Sequence, residues 1–220
     1  SAYGALGSQY FRFYDLRMAL GVTTAGQLSI RWIEGKINGW MNKVLKTESE
    51  DYVIASDTDS IYLNLGPLVG SIIQPNSEVT KVISIMDKIC EDKIQPFIDK
   101  SYKELADYVC AFQQKMEMKR EGLSNKGIWT AKKRYILNVY NNEGVQYKEP
   151  QLKVMGLEMV KSSTPAVIRD KMKELIKLMV TADESEVQKF ISDFRETFSK
   201  LPPEDISSPR GCKIGRAHVW

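Results

Sequence analysis

The sequence predicts an α+β fold in which helices pack with short antiparallel strands and a helical segment follows. Three observations predict it. Two short apolar runs flank an acidic turn, Asp57-Thr58-Asp59, an arrangement typical of a β-hairpin. A second turn, Asn141-Asn142-Glu143-Gly144, lies between further extended segments. Apolar residues at helical spacing fill most of the remaining long segments.

The composition fits a globular chain and excludes several protein classes. Hydrophobic residues make up 43% of the 220 residues, which is enough for a packed core. No apolar run approaches the ~18–20 residues of a membrane span, and the opening residues do not resemble a signal peptide. We therefore expect a cytoplasmic protein with no membrane partner.

Cysteine and histidine are too few and too scattered for a zinc site. The cysteines Cys90, Cys110 and Cys212 show no CxxC spacing, and His218 is the single histidine. Reduced thiols in a cytosol-like compartment are the simplest interpretation.

In the first half of the chain the pattern predicts two long helical segments around the acidic hairpin. The first helix is expected to begin at Thr23 or Thr24 and to end near Lys46, with Trp32, Trp40 and Met41 in the core. Strands are expected over residues 52–55 and 61–65. Helical spacing returns over residues 77–114, with an interruption at Pro96.

In the second half, extended segments precede two amphipathic helices. Residues 116–121, 128–140 and 152–155 are expected to be extended, and helices are expected over about 165–181 and 184–200. Thr164 is a candidate N-cap, with Pro165 at the first helical position. Residues 204–220 continue no pattern, and we interpret them as a disordered or artefactual tail.

The charge distribution is more informative than the net charge of +3. Residues 113–136 contain seven basic and two acidic side chains, which favours a phosphate-bearing partner. Residues 48–59 contain five acidic side chains and no basic one. Two carboxylates one residue apart, Asp57 and Asp59, sit in the tight turn, and carboxylate oxygens are the ligands that Mg²⁺ prefers. Asp and Ser are also common turn formers, so the bare pattern alone leaves a purely structural turn open.

A basic segment, Trp129-Thr-Ala-Lys-Lys-Arg-Tyr135, is the second strong signal. On one continuous strand, Trp129, Lys133 and Tyr135 would share a face, and Lys132 and Arg134 would share the other. A lysine within an apolar face favours an anionic partner, although a solvated strand edge is the alternative interpretation.

The segment Tyr52-Val-Ile-Ala-Ser-Asp57-Thr58-Asp59-Ser60 resembles catalytic motif C of family B DNA polymerases. Ser56 stands where the family usually has Gly. The resemblance implies a polymerase palm with an antiparallel sheet and packing helices, followed by a truncated helical thumb. It implies that Asp59 and Asp57 are catalytic metal ligands, and that two Mg²⁺ ions activate the primer 3′-hydroxyl and stabilise the leaving pyrophosphate.

Other segments resemble further elements of the same family. The basic segment is similar to the Lys-Lys-Arg-Tyr element that contacts the primer–template duplex, which implies DNA binding by Thr130, Lys132, Lys133, Arg134 and Tyr135. Ser1-Ala-Tyr-Gly4 is similar to the end of motif B, which implies nucleotide binding by Tyr3 and Gly4. The segment 153–165 resembles the palm-to-thumb junction, which implies DNA binding by Lys161, Ser162 and Ser163. Glu121 matches a palm carboxylate and is a secondary candidate.

The resemblance runs over residues 1 to about 200 and, within the family, extends to replicative polymerases of T-even-type bacteriophages. It implies the end of the fingers at 1–22, the palm at 23–164, the start of the thumb at 165–203 and a tail at 204–220. The implied partners are primer–template DNA, deoxynucleoside triphosphates and a sliding clamp, in the cytoplasm of a bacterial host. The motif A aspartate is not in this chain, so we expect the isolated chain to be inactive.

Two other classes remain open at this point. A non-catalytic DNA-binding palm relative would not need to keep both carboxylates of the hairpin. A nucleotide cyclase or reverse transcriptase would explain a carboxylate hairpin but not the basic segment, and reverse transcriptases typically carry adjacent aspartates.

Overall fold

The computed structural model describes residues 2–74 and 77–208. These form two compact units, of which unit 1 contains the residues up to 123 together with 142–145, and unit 2 contains 124–141 and the residues from 146 onward. Cys212, His218 and most of the expected tail lie outside the described residues. A short helix, α8 (Pro203–Ile206), lies where that tail was expected to begin.

Most of unit 1 is made of helices and the acidic hairpin. The helices are α1 (Ala2–Leu6), α2 (Leu16–Leu45), α3 (Gly66–Ile72), α4 (Val79–Ile89) and α5 (Gln95–Tyr108). The hairpin strands are β1 (Val53–Asp57) and β2 (Ser60–Leu63). Helix α2 packs on α5, and Ile33, Ile37 and Met41 on its inner face are almost fully buried. The predicted core stripe is therefore confirmed at Met41.

The two tryptophans of the stripe anchor α2 to α5. The indole N–H of Trp32 donates to the Ser101 carbonyl at 2.9 Å, and the Trp40 ring lies 5.7 Å from that of Phe97. Because an indole N–H that leaves water needs an acceptor, the bond to Ser101 fixes the rotation of α2 about its axis.

Helix α2 begins earlier than the sequence predicted, so the expected start at Thr23 or Thr24 is wrong. Asp15 is the N-cap, and its carboxylate accepts a hydrogen bond from the Arg17 backbone N–H at 2.9 Å. The hydroxyl of Thr23 donates instead to the Leu20 carbonyl within the helix, at 2.9 Å. In the first turns of α2 the exposed apolar residues Leu16, Met18, Leu20 and Val22 recur every second residue, which is not the spacing by which a helix is recognised.

The interruption predicted at Pro96 is present as a widened turn. Residues Cys90–Ile94 form a π-helical segment between α4 and α5, and the backbone N–H of Gln95 donates to the carbonyl of Cys90. Pro96 lacks a backbone N–H and follows this segment almost directly, so the widened turn lies where the proline removes a donor from an otherwise continuous helix.

Unit 2 contains most of a three-stranded sheet and the helices that follow it. The strands are β3 (Gly122–Ala131), β4 (Arg134–Asn142) and β5 (Val145–Met155), in that order across the sheet. A 3₁₀ turn (Glu158–Val160) leads to α6 (Ala166–Thr181) and α7 (Glu184–Phe198). Ile136, Met159 and Ile176 form the buried cluster that joins the sheet to α6.

The predicted turn after Asn142 is confirmed, whereas the single strand predicted over 128–140 is wrong. Glu143 and Gly144 both have positive φ, as a type I′ hairpin turn requires. A second turn, at Lys132 and Lys133, divides the predicted strand into the end of β3 and the start of β4. Side chains on either side of that turn therefore do not alternate along one strand. Residues 116–121, also expected to be extended, lie outside every strand.

The start of α6 differs from the prediction by one residue. Pro165 is the N-cap and Ala166 the first helical residue, so Thr164 is not the cap. The Thr164 hydroxyl donates to the Glu158 carbonyl at 2.8 Å and closes the loop before the helix. The α+β class predicted from the sequence is confirmed. Among the helices of the described residues, none has the length and apolar character needed to span a bilayer.

Candidate functional site

The acidic hairpin of unit 1 is a tight two-residue connection between β1 and β2. Asp57 pairs with Ser60 and Ser56 with Ile61, so Thr58 and Asp59 form the tip. Ser56 lies within β1, and the positive φ of the hairpin falls on Thr58. A serine in place of the family's usual glycine is therefore accommodated as ordinary extended backbone.

The backbone at the tip adopts a conformation that non-glycine residues rarely have. Thr58 has a φ of 54°, and the Asp59 N–H donates to the Asp57 carbonyl at 2.6 Å, which closes a three-residue turn. A γ-turn with positive φ at its centre is the rarer and more strained form. The Ser60 hydroxyl also donates to the Asp57 carbonyl, at 3.2 Å. Strained backbone of this kind concentrates at functional sites, where the surrounding strands hold it in place.

The two carboxylates at the tip offer hard oxygen ligands. Asp57 is half-buried, and its carboxylate accepts a hydrogen bond from the Thr58 hydroxyl at 2.9 Å, whereas Asp59 is exposed. These donors fit a divalent ion such as Mg²⁺, which retains water and phosphate ligands beside one or two carboxylates. Within residues 2–74 and 77–208, no group of three or more acidic, cysteine or histidine side chains is placed to hold a metal. The role of Asp57 and Asp59 as metal ligands therefore stays a prediction.

Two asparagines of α2 fix the strand that leads into the hairpin, and the sequence analysis did not identify them. The Asn38 side-chain oxygen accepts from the backbone N–H groups of Tyr52 and Val53 at 2.9 and 3.1 Å, and its amide donates to Asp51 at 2.7 Å. One turn later, Asn42 exchanges two hydrogen bonds with the backbone of Glu50, at 2.8 and 3.0 Å. The spacing of four residues, which puts both asparagines on one face of α2, was the available signal.

Glu121 lies in the same unit but on a different segment. Its side chain is exposed, and its backbone carbonyl accepts a hydrogen bond from Glu143 at 2.6 Å. The preceding residue, Arg120, forms a largely buried ion pair with Asp87 at the end of α4. This ion pair anchors the segment that carries Glu121 to the helical layer.

The candidate nucleotide-binding residues Tyr3 and Gly4 lie on the short helix α1. Both are exposed, and the Tyr3 carbonyl accepts a hydrogen bond from the N–H of Gly7 at 3.1 Å. Exposed apolar side chains follow in the next segment, including Tyr10, whose side chain is 95% accessible, and Phe13. The positions of Tyr3 and Gly4 leave their predicted role untested.

The basic segment forms the tip of the hairpin between β3 and β4 in unit 2. Lys133 has a φ of 60°, and both lysines of the turn are exposed. Across the turn, the Thr130 hydroxyl donates to the Arg134 carbonyl at 3.3 Å, and the rings of Trp129 and Tyr135 lie 6.4 Å apart. The five predicted DNA-binding residues of this segment are thus gathered on one hairpin, and the turn presents its two lysines to solvent.

The second predicted DNA-binding segment, Lys161-Ser162-Ser163, lies in the exposed loop before α6. Glu158 connects it to the basic hairpin. One carboxylate oxygen of Glu158 is 3.2 Å from the Lys161 ammonium and 3.6 Å from the Arg134 guanidinium. The backbone N–H of Glu158, the Lys161 ammonium and the Arg134 guanidinium all hold the pKa of this carboxyl below its ordinary value. Glu158 lies within the segment 153–165, for which the resemblance implied DNA binding by Lys161, Ser162 and Ser163 alone.

Gly156 explains how these two segments come so close. It has a φ of 68°, and a Cβ at this position would collide with the Lys133 carbonyl oxygen and lie 3.1 Å from Arg134 Cγ. Only glycine combines that backbone conformation with that approach.

Comparison with known proteins shows the family to which this chain belongs. Residues 1–210 match the sequence model of DNA polymerase family B, and the chain belongs to that family. It is 39% identical over 210 residues to the DNA-directed DNA polymerase of Enterobacteria phage T4, an alignment that covers 91% of this chain and 23% of the relative. It is 42% identical over 193 residues to the DNA-directed DNA polymerase of Escherichia phage RB69, which covers 84% of this chain and 21% of that relative.

The predicted resemblance to family B polymerases and to those of T-even-type phages is confirmed by these matches. The chain spans less than a quarter of the length of either relative. Polymerases of this family are generally metal-dependent, and the family implies DNA and nucleotide substrates. The roles of individual residues stay predictions.

Proposed function

We propose that this chain is the palm, with the end of the fingers and the start of the thumb, of a DNA-directed DNA polymerase. The complete enzyme adds deoxynucleotides to a primer 3′ end on a DNA template and releases pyrophosphate. The observation that supports this most strongly is the strained Asp57-Thr58-Asp59 tip in a chain that matches family B over 210 residues. The proposed boundaries are residues 1–22, 23–164 and 165–203.

Asp59 and Asp57 would hold Mg²⁺ together with a carboxylate from outside this chain. When bound, two such ions supply activation of the attacking hydroxyl and charge stabilisation of the leaving group. The chain's own contribution is to fix the ligands in space. The β1–β2 ladder, the turn at Thr58 and the Asn38 hydrogen bonds hold the two carboxylates before substrate arrives, so little reorganisation is needed during the reaction.

The basic hairpin and the loop before α6 would bind the primer–template duplex. Lys132, Lys133, Arg134 and Lys161 are exposed cations, and Thr130, Tyr135, Ser162 and Ser163 add hydrogen-bonding groups nearby in sequence. Contacts of this kind to phosphates position a duplex without reading its sequence, as a general replicase requires. Tyr3 and Gly4 would contribute to the nucleotide site, with Glu121 as a secondary carboxylate.

The setting we propose is the cytoplasm of an infected bacterium, where a sliding clamp would be a further partner. Primer extension tests the function. The complete polymerase should extend a primed template by the complementary nucleotide only, and chelation of Mg²⁺ should stop extension. The isolated 220-residue chain should extend no primer, because it supplies only part of the carboxylate set. Failure of the complete protein to extend any primer would overturn the proposal.

A further inference from the structure

Glu158 is the point at which the two basic segments of unit 2 meet. A single oxygen, Oε1, is within 4 Å of both the Lys161 ammonium and the Arg134 guanidinium. Arg134 comes from the start of β4 and Lys161 from the loop before α6. These two cations are 27 residues apart in sequence. The Glu158 carboxylate links them because it forms an ion pair with each.

The loop itself is folded around Glu158. Its backbone carbonyl accepts hydrogen bonds from the Lys161 N–H at 3.0 Å and from the Thr164 hydroxyl at 2.8 Å. These two hydrogen bonds hold the backbone of Glu158 in place, and so restrict where its carboxylate can lie. Met159, the next residue, is buried in the cluster with Ile136 and Ile176, which holds the loop against the sheet.

The close approach at Gly156 brings the basic hairpin to this loop. A Cβ there would overlap the Lys133 carbonyl oxygen, so the backbone of the hairpin turn rests directly on the glycine. The geometry of Glu158, Arg134 and Lys161 is thus set by backbone contacts as well as by charge.

We propose that Glu158 is a positioning residue for duplex binding, which orients Arg134 and Lys161 toward the phosphate backbone. This inference rests on the proposed function. Long cationic side chains lose rotamer freedom when they bind a phosphate, and a carboxylate that restrains both of them beforehand reduces that loss. The same carboxylate also repels phosphate. Positioning and repulsion therefore predict opposite effects when the charge of Glu158 is removed.

The test is the affinity of the complete polymerase for an unlabelled primer–template duplex, measured by competition at several salt concentrations. Glu158→Gln raises the net charge by one, which by attraction alone would tighten binding. The positioning role predicts instead that binding weakens by about threefold to tenfold, a modest effect because exposed ion pairs are individually weak.

Glu174→Gln is the matched control. Glu174 forms an exposed ion pair with Lys171 on α6 at 2.6 Å, so the substitution makes the same charge change at a similar pair. It should leave affinity unchanged or slightly tighter. A second comparison uses the Arg134→Ala, Lys161→Ala double variant, in which Glu158→Gln should no longer weaken binding because the cations it orients are gone.

The outcomes separate this inference from the proposed function. If the wild-type polymerase binds duplex and extends primers, but Glu158→Gln binds as tightly as Glu174→Gln or more tightly, the positioning role is refuted. The same holds if Glu158→Gln weakens binding equally in the double variant, since the effect would then be general destabilisation. Failure of the wild-type protein to bind duplex would instead overturn the proposed function on which the inference rests.

Discussion

Gly156→Ala should lower the stability of the chain more than an alanine substitution at any other described glycine. The backbone at Gly156 has a φ of 68°, where a side chain costs about 1–2 kcal/mol. The new Cβ would also lie well inside 3.0 Å of the Lys133 carbonyl oxygen, which belongs to backbone and cannot rotate away. Overpacking of this kind costs about 1–3 kcal/mol. Together these terms predict destabilisation of about 3 kcal/mol.

Thermal unfolding of the purified chain, followed by circular dichroism, measures this cost. For a chain of this length about 3 kcal/mol corresponds to a decrease of roughly 6–12 °C in Tm. Gly144→Ala is the matched control, because Gly144 has a φ of 87° but open space around it, so only the backbone term applies. Gly39→Ala, within α2 and also in open space, should be neutral or stabilising. A Gly156→Ala variant no less stable than Gly144→Ala would refute the close approach.

Two further predictions concern unit 1. Asn38→Ala removes the side-chain acceptor of the Tyr52 N–H and one of the two acceptors of the Val53 N–H, the other being the Asp51 carboxylate. It should destabilise the chain by about 2 kcal/mol, measured by thermal unfolding, and a Tm within error of wild type would contradict this. Burial raises the pKa of the Cys90 thiol to about 11 from 9.0, so at pH 8 a thiol reagent should modify exposed Cys110 and spare Cys90. Between pH 9 and 11 Cys90 stays protonated in the folded chain, whereas the thiol of the unfolded chain ionises. The stability that burial of the protonated thiol contributes should therefore be complete below pH 9 and be lost as the pH rises from 9 to 11. Cys90→Ala should lose less stability than wild type over that interval, and equal losses would contradict the assignment.

The features predicted correctly from the sequence are those whose signal is local. The hairpin at Asp57–Ser60 follows from apolar runs around turn-forming residues, and the turn at Glu143–Gly144 follows from a glycine that tolerates positive φ. Helices α6 and α7 match their predicted lengths within two residues because their apolar spacing is regular.

The features that were missed depend on contacts distant in sequence. The turn at Lys132–Lys133 contains none of the usual turn residues, and its positive φ is stabilised where the hairpin backbone meets Gly156. Asn38 has a role only because α2 lies beside the start of β1, which no local pattern shows. The charged residues of the candidate interface were identified as a set, but their arrangement around Glu158 required the fold.

The most direct test of the central claim, that the hairpin tip is the catalytic metal-binding element, is single-turnover primer extension by the complete polymerase carrying Asp59→Asn. Loss of a metal ligand should remove several kcal/mol of transition-state stabilisation, so the rate should fall about 1,000-fold or more. Duplex affinity should stay near that of wild type. Asp107→Asn, which changes an exposed carboxylate at the end of α5, should extend primers normally. Near-normal turnover by Asp59→Asn would contradict the account.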